Sequence, residues 1–427
     1  MTAQVQAVRG CRYASASRTI IKNRAVMRLV GGKFDVIRYE TNMETAATPA
    51  PPPESPPVPP PAETLRFRLP IWAVVVPILG VIASLVGVPE SGLLTALLSL
   101  ILGAAVLAAV YHAEVIAHRV GEPYGTLILA LAVTIIEGAL IVSMMLNDGE
   151  SARALARDTV FAALMIVLNG IIGVCLLVGG HRHTEQRYTQ YGVTAGIAML
   201  ATLAALTLVL PNFTTSEAGP VYSSKQLIFV GIISLIIYGT YVVAQTIRHR
   251  SYFLPKSYDD IDDDDIAHAH DGPVPEGMTL AAVFGLLIAA LVGVVLLAKA
   301  LSPAIKEAVA GAGAPAATVG IIIAALVLLP EGLAAVRAAR QNRLQTSLNL
   351  AIGSALATIG LTIPVVAVVS LMLDLDLVLG LSPKSMTLLA LTLFVSSLSL
   401  GTGKTTVIQG TIHLVIFAAF LFTTLVP

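Results

Sequence analysis

The sequence predicts an all-α polytopic membrane protein, and three observations support that fold class. Charged residues make up only 12% of the 427 residues, about half the share found in soluble domains. Mean hydropathy is +0.83, and apolar runs of roughly 20 residues, enough to cross a bilayer as a helix, recur along the chain. This composition excludes a soluble enzyme or a nucleic-acid binder, and a net charge of +0 indicates no charged class of partner.

The first element, residues 1–66, differs in composition from the remainder of the chain. It is basic and carries a proline-rich run at residues 49–61, which favours extended polyproline II and cannot form a core. We therefore predict a disordered cytoplasmic tail. Because no acidic residue precedes Asp35, a transit peptide or a later start at Met27 is the alternative.

About eleven transmembrane helices are predicted to follow. Lysine and arginine concentrate in the connections on one side of the predicted membrane, for example at Arg119, Arg182 and Arg340, which places the N-terminus in the cytoplasm and the C-terminus outside. The predicted spans are 70–88, 91–111, 124–146, 159–180, 192–210, 226–247, 278–301, 314–336, 348–372, 384–400 and 405–425.

Two of these spans contain a glutamate in an otherwise apolar stretch, Glu137 in the third and Glu331 in the eighth. A carboxylate at the centre of a spanning helix costs at least about 2.5–3.5 kcal/mol, so it usually faces a cavity, a partner or an ion path. For either residue alone, a protonated side chain hydrogen-bonded within the bundle is the alternative.

The positions of the two glutamates predict an internal repeat. With the first span (67–90) set aside, ten spans remain, and each glutamate lies in the second span of its half. A unit with an odd number of spans that is repeated once must be inverted, as in many secondary transporters. We predict a first five-helix repeat at 91–247, an acidic cytoplasmic loop at 248–277 and a second repeat at 278–427.

Polar residues near each glutamate are candidate supporting ligands. Hard cations such as Ca²⁺ take six to eight oxygen ligands, and Pro330 removes a helical hydrogen bond next to Glu331, which exposes a carbonyl. Small and hydroxyl residues in spans also simply let helices approach, and that alternative stays open for each one. The candidates are Thr134, Asn169, Ser347, Asn349, Ser354 and Thr358.

Three segments resemble the cation/proton exchangers of the calcium/cation antiporter superfamily, and within it the bacterial ChaA-type antiporters. They are HAEVIAHRVGEPYGTLILALAVTIIE (112–137), RDTVFAALMIVLNG (157–170) and PEGLAAVRAARQNRLQTSLNLAIGSALATIGLTIP (330–364). The resemblance extends from about residue 70 to the end. It implies a ten-helix exchanger in a bacterial inner membrane, with Glu137 and Glu331 as the cation and proton ligands.

One departure from the family pattern bears on cation selectivity. Relatives specialised for calcium have Gly-Asn-x-x-Glu in each repeat, whereas Thr134 and Leu328 stand three residues before the two glutamates here. The loss of two amide oxygens leaves room for Na⁺ or K⁺, which ChaA-type proteins also exchange.

Further acidic residues lie in the loop between the two predicted repeats and before the third span. The loop between the halves carries Asp262, Asp263, Asp264, Asp265, His268 and His270. A solvated linker is the favoured interpretation, and a sensor of divalent cations or of pH is the alternative. Glu114 precedes the third span and either guides cations toward Glu137 or pairs with Arg119.

These observations predict a secondary active cation/proton antiporter that exports Ca²⁺ in exchange for H⁺. A Na⁺(K⁺)/H⁺ antiporter is the alternative, and a cation channel is a weaker one. The segment SLGTGKTT lacks the first glycine of a phosphate loop, at Leu398, so we expect ion gradients to supply the energy. We expect no enzyme activity and no cofactor; the predicted partners are inorganic cations and the lipid bilayer, with the oligomeric state open.

Overall fold

The computed structural model describes residues 26–30, 33–37, 70–86, 92–120, 132, 134–143, 145, 153–254, 279–373 and 377–426. From Thr64 onward the chain forms one unit, and eleven helices are described in it. The first six are α1 (Ile71–Val86), α2 (Gly92–Val120), α3 (Thr134–Ser143), α4 (Leu155–His183), α5 (Gln190–Phe213) and α6 (Ser224–Arg248). The remaining five are α7 (Leu280–Gly311), α8 (Ala317–Arg340), α9 (Leu344–Leu373), α10 (Pro383–Leu400) and α11 (Val407–Leu425).

Each predicted span corresponds to one of these helices, so the predicted fold class is confirmed. Within the described residues, nine helices are long and apolar enough to cross a membrane, and α1 and α3 are shorter apolar helices. The largest differences are at α7, which continues to Gly311 instead of ending near 301, and at α2, which continues to Val120 instead of ending near 111. Helix α3 is described over Thr134–Ser143 of the predicted 124–146.

The two five-helix halves, α2–α6 and α7–α11, interlock. The third helix of each half packs on the fifth helix of the other, as α4 on α11 and α9 on α6. The third helix of each half also contacts the second helix of the other half. Helix α4 packs on α8, and α9 supplies a hydrogen bond to α3. The first helices, α2 and α7, pack on each other, and α1 packs on both. This reciprocal pattern is what an inverted repeat produces.

The core consists of two separate hydrophobic clusters. The larger one joins residues of α4–α6 with residues of α8–α11, and the smaller one joins α1, α2 and α7. Helix α8 contributes Leu328 and Ala335 to the larger cluster and Val327 to the smaller. Helix α3 likewise contributes Ile141 to the larger and Ile136 to the smaller. The two glutamate-bearing helices therefore lie at the boundary between the clusters, which we call the seam.

Short backbone pairings close both ends of the helical unit. At one end β3 (Gln186–Arg187) pairs antiparallel with β4 (Lys404–Thr405), and Gln186 donates to the carbonyl of Ala339 at 2.9 Å. At the opposite end Val221 forms an isolated bridge with Val378. The β3–β4 end gathers the loops that were predicted to be cytoplasmic from their arginines.

The N-terminal unit, Met1–Glu63, contains a β-hairpin. Strands β1 (Val26–Val30) and β2 (Lys33–Ile37) pair antiparallel, with Val26 opposite Ile37. The segment predicted as a tail, residues 1–66, therefore includes this hairpin. The signal is present in the sequence, because Gly31-Gly32 separates two segments rich in β-branched and other apolar residues, and such a dipeptide favours a two-residue hairpin turn.

Candidate cation and proton site

Glu137 is held inside the helical unit by a partner from the other half. Its side chain is 3% exposed, and its Oε2 accepts a hydrogen bond from Oγ1 of Thr358 on α9 at 2.9 Å. Thr134, also buried, lies one turn earlier on the same face of α3. Thr358, one of the predicted supporting residues, therefore contacts a glutamate directly.

Glu331 has a different environment. It is half-buried on α8, and its Oε2 is buried with no hydrogen-bond partner among the described residues. The preceding Pro330 lies inside the helix and has no N–H to donate, so the carbonyl of Leu326, four residues earlier, lacks its usual helical donor. The middle of α8 thus contains a buried carboxylate oxygen with no partner among the described residues and a backbone carbonyl without its usual helical donor.

The two glutamates are close enough to interact electrostatically, although they are on helices from different halves. Glu331 is repelled by Glu137 and by Glu114, and Glu114 is in turn attracted by Arg337. Glu114 is exposed on α2. The three acids therefore share one region, which begins at the exposed Glu114 and leads to the seam. Adjacent carboxylates that repel each other favour the uptake of protons or cations.

Asn169 is engaged away from the glutamates. It lies in a π-helical segment of α4, Ile166–Ile171, and its amide donates to Oγ1 of Thr392 at 2.9 Å. Its Oδ1 is 3.2 Å from Nδ1 of His413, whose Nε2 is 2.8 Å from Oγ of Ser399. These four buried residues form one hydrogen-bonded chain across α4, α10 and α11. The sequence did not predict this hydrogen-bonded network, although His413 is a single histidine in an apolar span and indicates a polar partner nearby.

The other predicted ligands on α9 are spread along the helix. Asn349, near its beginning, donates to the carbonyl of Phe253 at 2.6 Å and accepts from Gln345 at 2.8 Å. Ser347 lies beside the thiol of Cys175 on α4. Ser354 is half-buried one turn before Thr358, on the same face of α9. Ser354 is therefore on the face of α9 that presents Thr358 to Glu137.

The predicted regulatory residues cannot be placed in this geometry. Asp262, Asp263, Asp264, Asp265, His268 and His270 lie outside the described residues.

Comparison with known proteins identifies the family. The model of the family described as "Sodium/calcium exchanger protein" matches residues 90–247 and 282–426. The chain belongs to this family of membrane transporters. The two matched segments coincide with the two halves described above.

Two curated relatives and one solved structure are similar to the chain. A Sinorhizobium fredii protein, y4hA, that carries the name of an ionic transporter is 48% identical over 368 residues, 84% of this chain and 97% of that protein. The sodium-potassium/proton antiporter ChaA of Escherichia coli is 37% identical over 314 residues, 74% of this chain and 84% of ChaA. The crystal structure of the H⁺/Ca²⁺ exchanger CAX shares the fold, with a TM-score of 0.62 at 16% identity over 82% of this chain and 87% of CAX.

Proposed function

We propose that this chain is a secondary active cation/proton antiporter that exports Ca²⁺ in exchange for H⁺. The observation that carries the proposal is the pair of acids at the seam. Within the described part of the chain, Glu331 presents a buried oxygen that has no hydrogen-bond partner, and Glu137 of the inverted half lies within electrostatic range. Two carboxylates together match the charge of one divalent cation.

The proposed mechanism is competition between protons and the cation for these two carboxylates. An ionised carboxylate in a membrane interior is costly unless it is paired. Each glutamate therefore binds either a proton or the cation, and exchange follows because both ligands require the same oxygens. The transported ion is cargo, and we propose no resident cofactor.

Alternating access would come from movement at the seam. The smaller cluster, built on α1, α2 and α7, packs separately from the larger cluster. Sliding of one cluster against the other would expose the glutamates to each side of the membrane in turn without unpacking either cluster.

Na⁺ or K⁺ is the second candidate cargo, and two observations favour it. Thr134 and Leu328 stand where calcium-specialised relatives have asparagine, and the amides of Asn169 and Asn349 are bonded elsewhere. The site thus offers few amide oxygens to a cation that prefers six to eight ligands. ChaA, the relative at 37% identity, is named for sodium and potassium.

We also propose a bacterial inner membrane location with the N-terminus in the cytoplasm. Four arginines support this orientation because they lie together at the β3–β4 end of the fold. They are Arg182, Arg187, Arg340 at the end of α8 and Arg343 in the loop that follows. Tagging of the two termini and protease protection in everted vesicles test it, and a protected N-terminus would contradict it.

The test of function is the collapse of an imposed ΔpH in everted vesicles when Ca²⁺, Na⁺ or K⁺ is added separately across a range of pH. We expect wild-type chain to collapse the gradient, and Glu137→Gln or Glu331→Gln to abolish the response while the protein still inserts. Glu307→Gln is the matched control, because Glu307 is an exposed acid on α7. Normal exchange in either seam variant would refute the assignment.

Uphill transport separates an antiporter from a channel lined by the same residues. An imposed ΔpH should drive ⁴⁵Ca²⁺, or ²²Na⁺ for the second candidate, against its own gradient. A channel dissipates gradients and cannot perform this step, so purely downhill flux would overturn the antiport proposal.

The acidic loop is proposed as a regulatory segment, on the basis of its composition alone. Replacement of Asp262, Asp263, Asp264 and Asp265 with asparagine should change the cation or pH dependence of exchange in vesicles. An unchanged dependence would favour the solvated linker.

A further inference from the structure

A groove of about 660 Å³ opens at the β3–β4 end of the helical unit, where three helices end or begin. Its lower part is apolar and its rim is basic. The lining residues are Leu177, Val178, His181 and Arg182 of α4, Arg340 of α8 and Val407 of α11.

Helix α4 forms the floor of this groove, while α8 and α11 form its walls. The floor and one wall are in direct backbone contact, because a Cβ placed on Gly180 would lie 2.7 Å from the backbone nitrogen of Val407. Val407, Leu177 and Val178 are half-buried. The groove is therefore a fixed feature of packed helices, and it leaves apolar side chains partly uncovered.

The rim of the groove carries three exposed basic side chains. His181, Arg182 and Arg340 are exposed, and within the described part of the chain none of them is within salt-bridge distance of a carboxylate. The nearby acid in the sequence, Glu185, is already bound by other cations. It accepts from Arg187 at 3.2 Å and from Lys404 at 3.4 Å.

The protonation state of Glu185 agrees with this arrangement. Partial desolvation raises the pKa of this carboxyl group, but the hydrogen bonds and charge attraction from Arg187 and Lys404 outweigh it and lower the pKa below its ordinary value. Glu185 therefore stays ionised and bound to its own partners at neutral pH. Among the described residues, no carboxylate neutralises the positive charge of Arg182 and Arg340.

An apolar track leads from the rim along α8 toward the middle of the span. Leu329 and Leu333 are 47% and 45% exposed, and they precede Arg340 by about three and two helical turns, on the same face of α8. A ligand that fits this surface has a negative head at Arg340 and a long apolar body along the helix.

We propose that this groove binds one anionic phospholipid. The phosphate would lie between Arg182 and Arg340, with His181 as a further donor, and one acyl chain would follow Leu177, Val178 and the track on α8. Charge complementarity and position argue for a lipid, because basic clefts between spanning helices at the cytoplasmic end recognise anionic headgroups. This site is separate from the seam. The proposal therefore does not depend on which cation the chain transports.

The test compares binding of dioleoyl-phosphatidylglycerol and dioleoyl-phosphatidylcholine to the full-length chain in a neutral detergent, by native mass spectrometry. We expect the anionic lipid to bind at least about tenfold more tightly, and Arg182→Gln and Arg340→Gln each to reduce that binding about fivefold. Arg343→Gln is the matched control, because Arg343 is exposed three residues after Arg340 but does not line the groove. We expect it to bind as the wild type does.

Several outcomes would overturn the proposal. These are equal binding of the two lipids, an equal loss in Arg343→Gln, or displacement of the lipid by glycerol phosphate at the same concentration, which would indicate a free-anion site. The thermal midpoint of each variant in phosphatidylcholine shows whether it is folded. If Arg182→Gln is not folded, the result for Arg340→Gln decides the outcome. Val178→Ser is a second variant, and it should weaken lipid binding without removing a charge.

Discussion

Glu137 and Glu331 occupy matching positions in the two halves, yet their surroundings differ. Glu137 is fully enclosed, and Thr358 of the other half donates to it at 2.9 Å. Glu331 is half-buried and its Oε2 lacks a partner among the described residues. Helix α4 packs on α8, which carries Glu331. The polar residue in the middle of α4, Asn169, bonds Thr392 and His413 and not Glu331.

This difference indicates that an inverted repeat can divide one task between unequal acids. Glu137 is oriented by a hydrogen bond before any ion arrives, whereas Glu331 keeps an oxygen available. We therefore infer that Glu137 fixes the geometry of the site and Glu331 changes its ligand during the cycle. Substitutions at the two glutamates and at their neighbours test that division.

Neutralising either glutamate should abolish exchange but should affect stability unequally. Each glutamate supplies one of the two negative charges proposed to bind the cation, so exchange should fall by more than about 100-fold in both Glu137→Gln and Glu331→Gln. Only Glu331→Gln should raise the thermal midpoint, by about 2–4 °C, because it removes a buried charge without a partner. Equal midpoints, measured in detergent at pH 8, would show that the two environments are energetically alike.

Removal of the hydroxyl that binds Glu137 should weaken cation binding. Thr358→Val leaves Oε2 without its donor, and we expect the apparent cation affinity to fall about tenfold. The measurement is the cation dependence of ΔpH collapse in everted vesicles. Thr362→Val is the matched control, since Thr362 is buried one turn further along α9 and its hydroxyl has no partner among the described residues. A comparable loss in the control would assign the effect to packing.

Glu114 should contribute a smaller effect on the Glu331 side. Glu114→Gln removes a negative charge from the approach to the seam, and we expect the apparent cation affinity to fall about twofold to threefold. The effect should shrink at high ionic strength, because Glu114 is exposed. Its insensitivity to salt in flux assays would argue against long-range attraction.

Asn169 should matter for stability more than for exchange. Asn169→Ala removes one hydrogen-bond partner from each of Thr392 and His413, so we expect a loss of about 1–3 kcal/mol in stability with exchange within about twofold of the wild type. Unfolding in detergent and vesicle flux measure the two effects. A drop in cation affinity as large as that of Thr358→Val would restore Asn169 as a ligand, as the sequence interpretation had it.

The eleven helices were predictable because a spanning helix is specified locally, by about 20 apolar residues. The inverted relation of the halves was predictable too, since it followed from where Glu137 and Glu331 stand in the order of spans. The β1–β2 hairpin was missed because the proline-rich run dominated the composition of residues 1–66, although Gly31-Gly32 marks a turn.

The side-chain partners could not be predicted in the same way. Asn169 and Thr358 are both polar residues near the middle of a third helix, and nothing in their neighbours shows which one contacts a carboxylate. Tertiary packing decides it: α9 brings Thr358 to α3, while α10 and α11 bring Thr392 and His413 to Asn169. The groove at Arg182 and Arg340 likewise requires two segments far apart in the sequence.

The interlocking of the halves has a consequence for biosynthesis. Helix α4 is the most buried of the spanning helices described, with 83% of its central apolar segment buried. It packs on α8 and α11, which are synthesised later. During translation the first half must therefore wait in the bilayer with Asn169 facing lipid or the translocation machinery. Neither half has a complete interior of its own, so the two inserted halves reach the native state together.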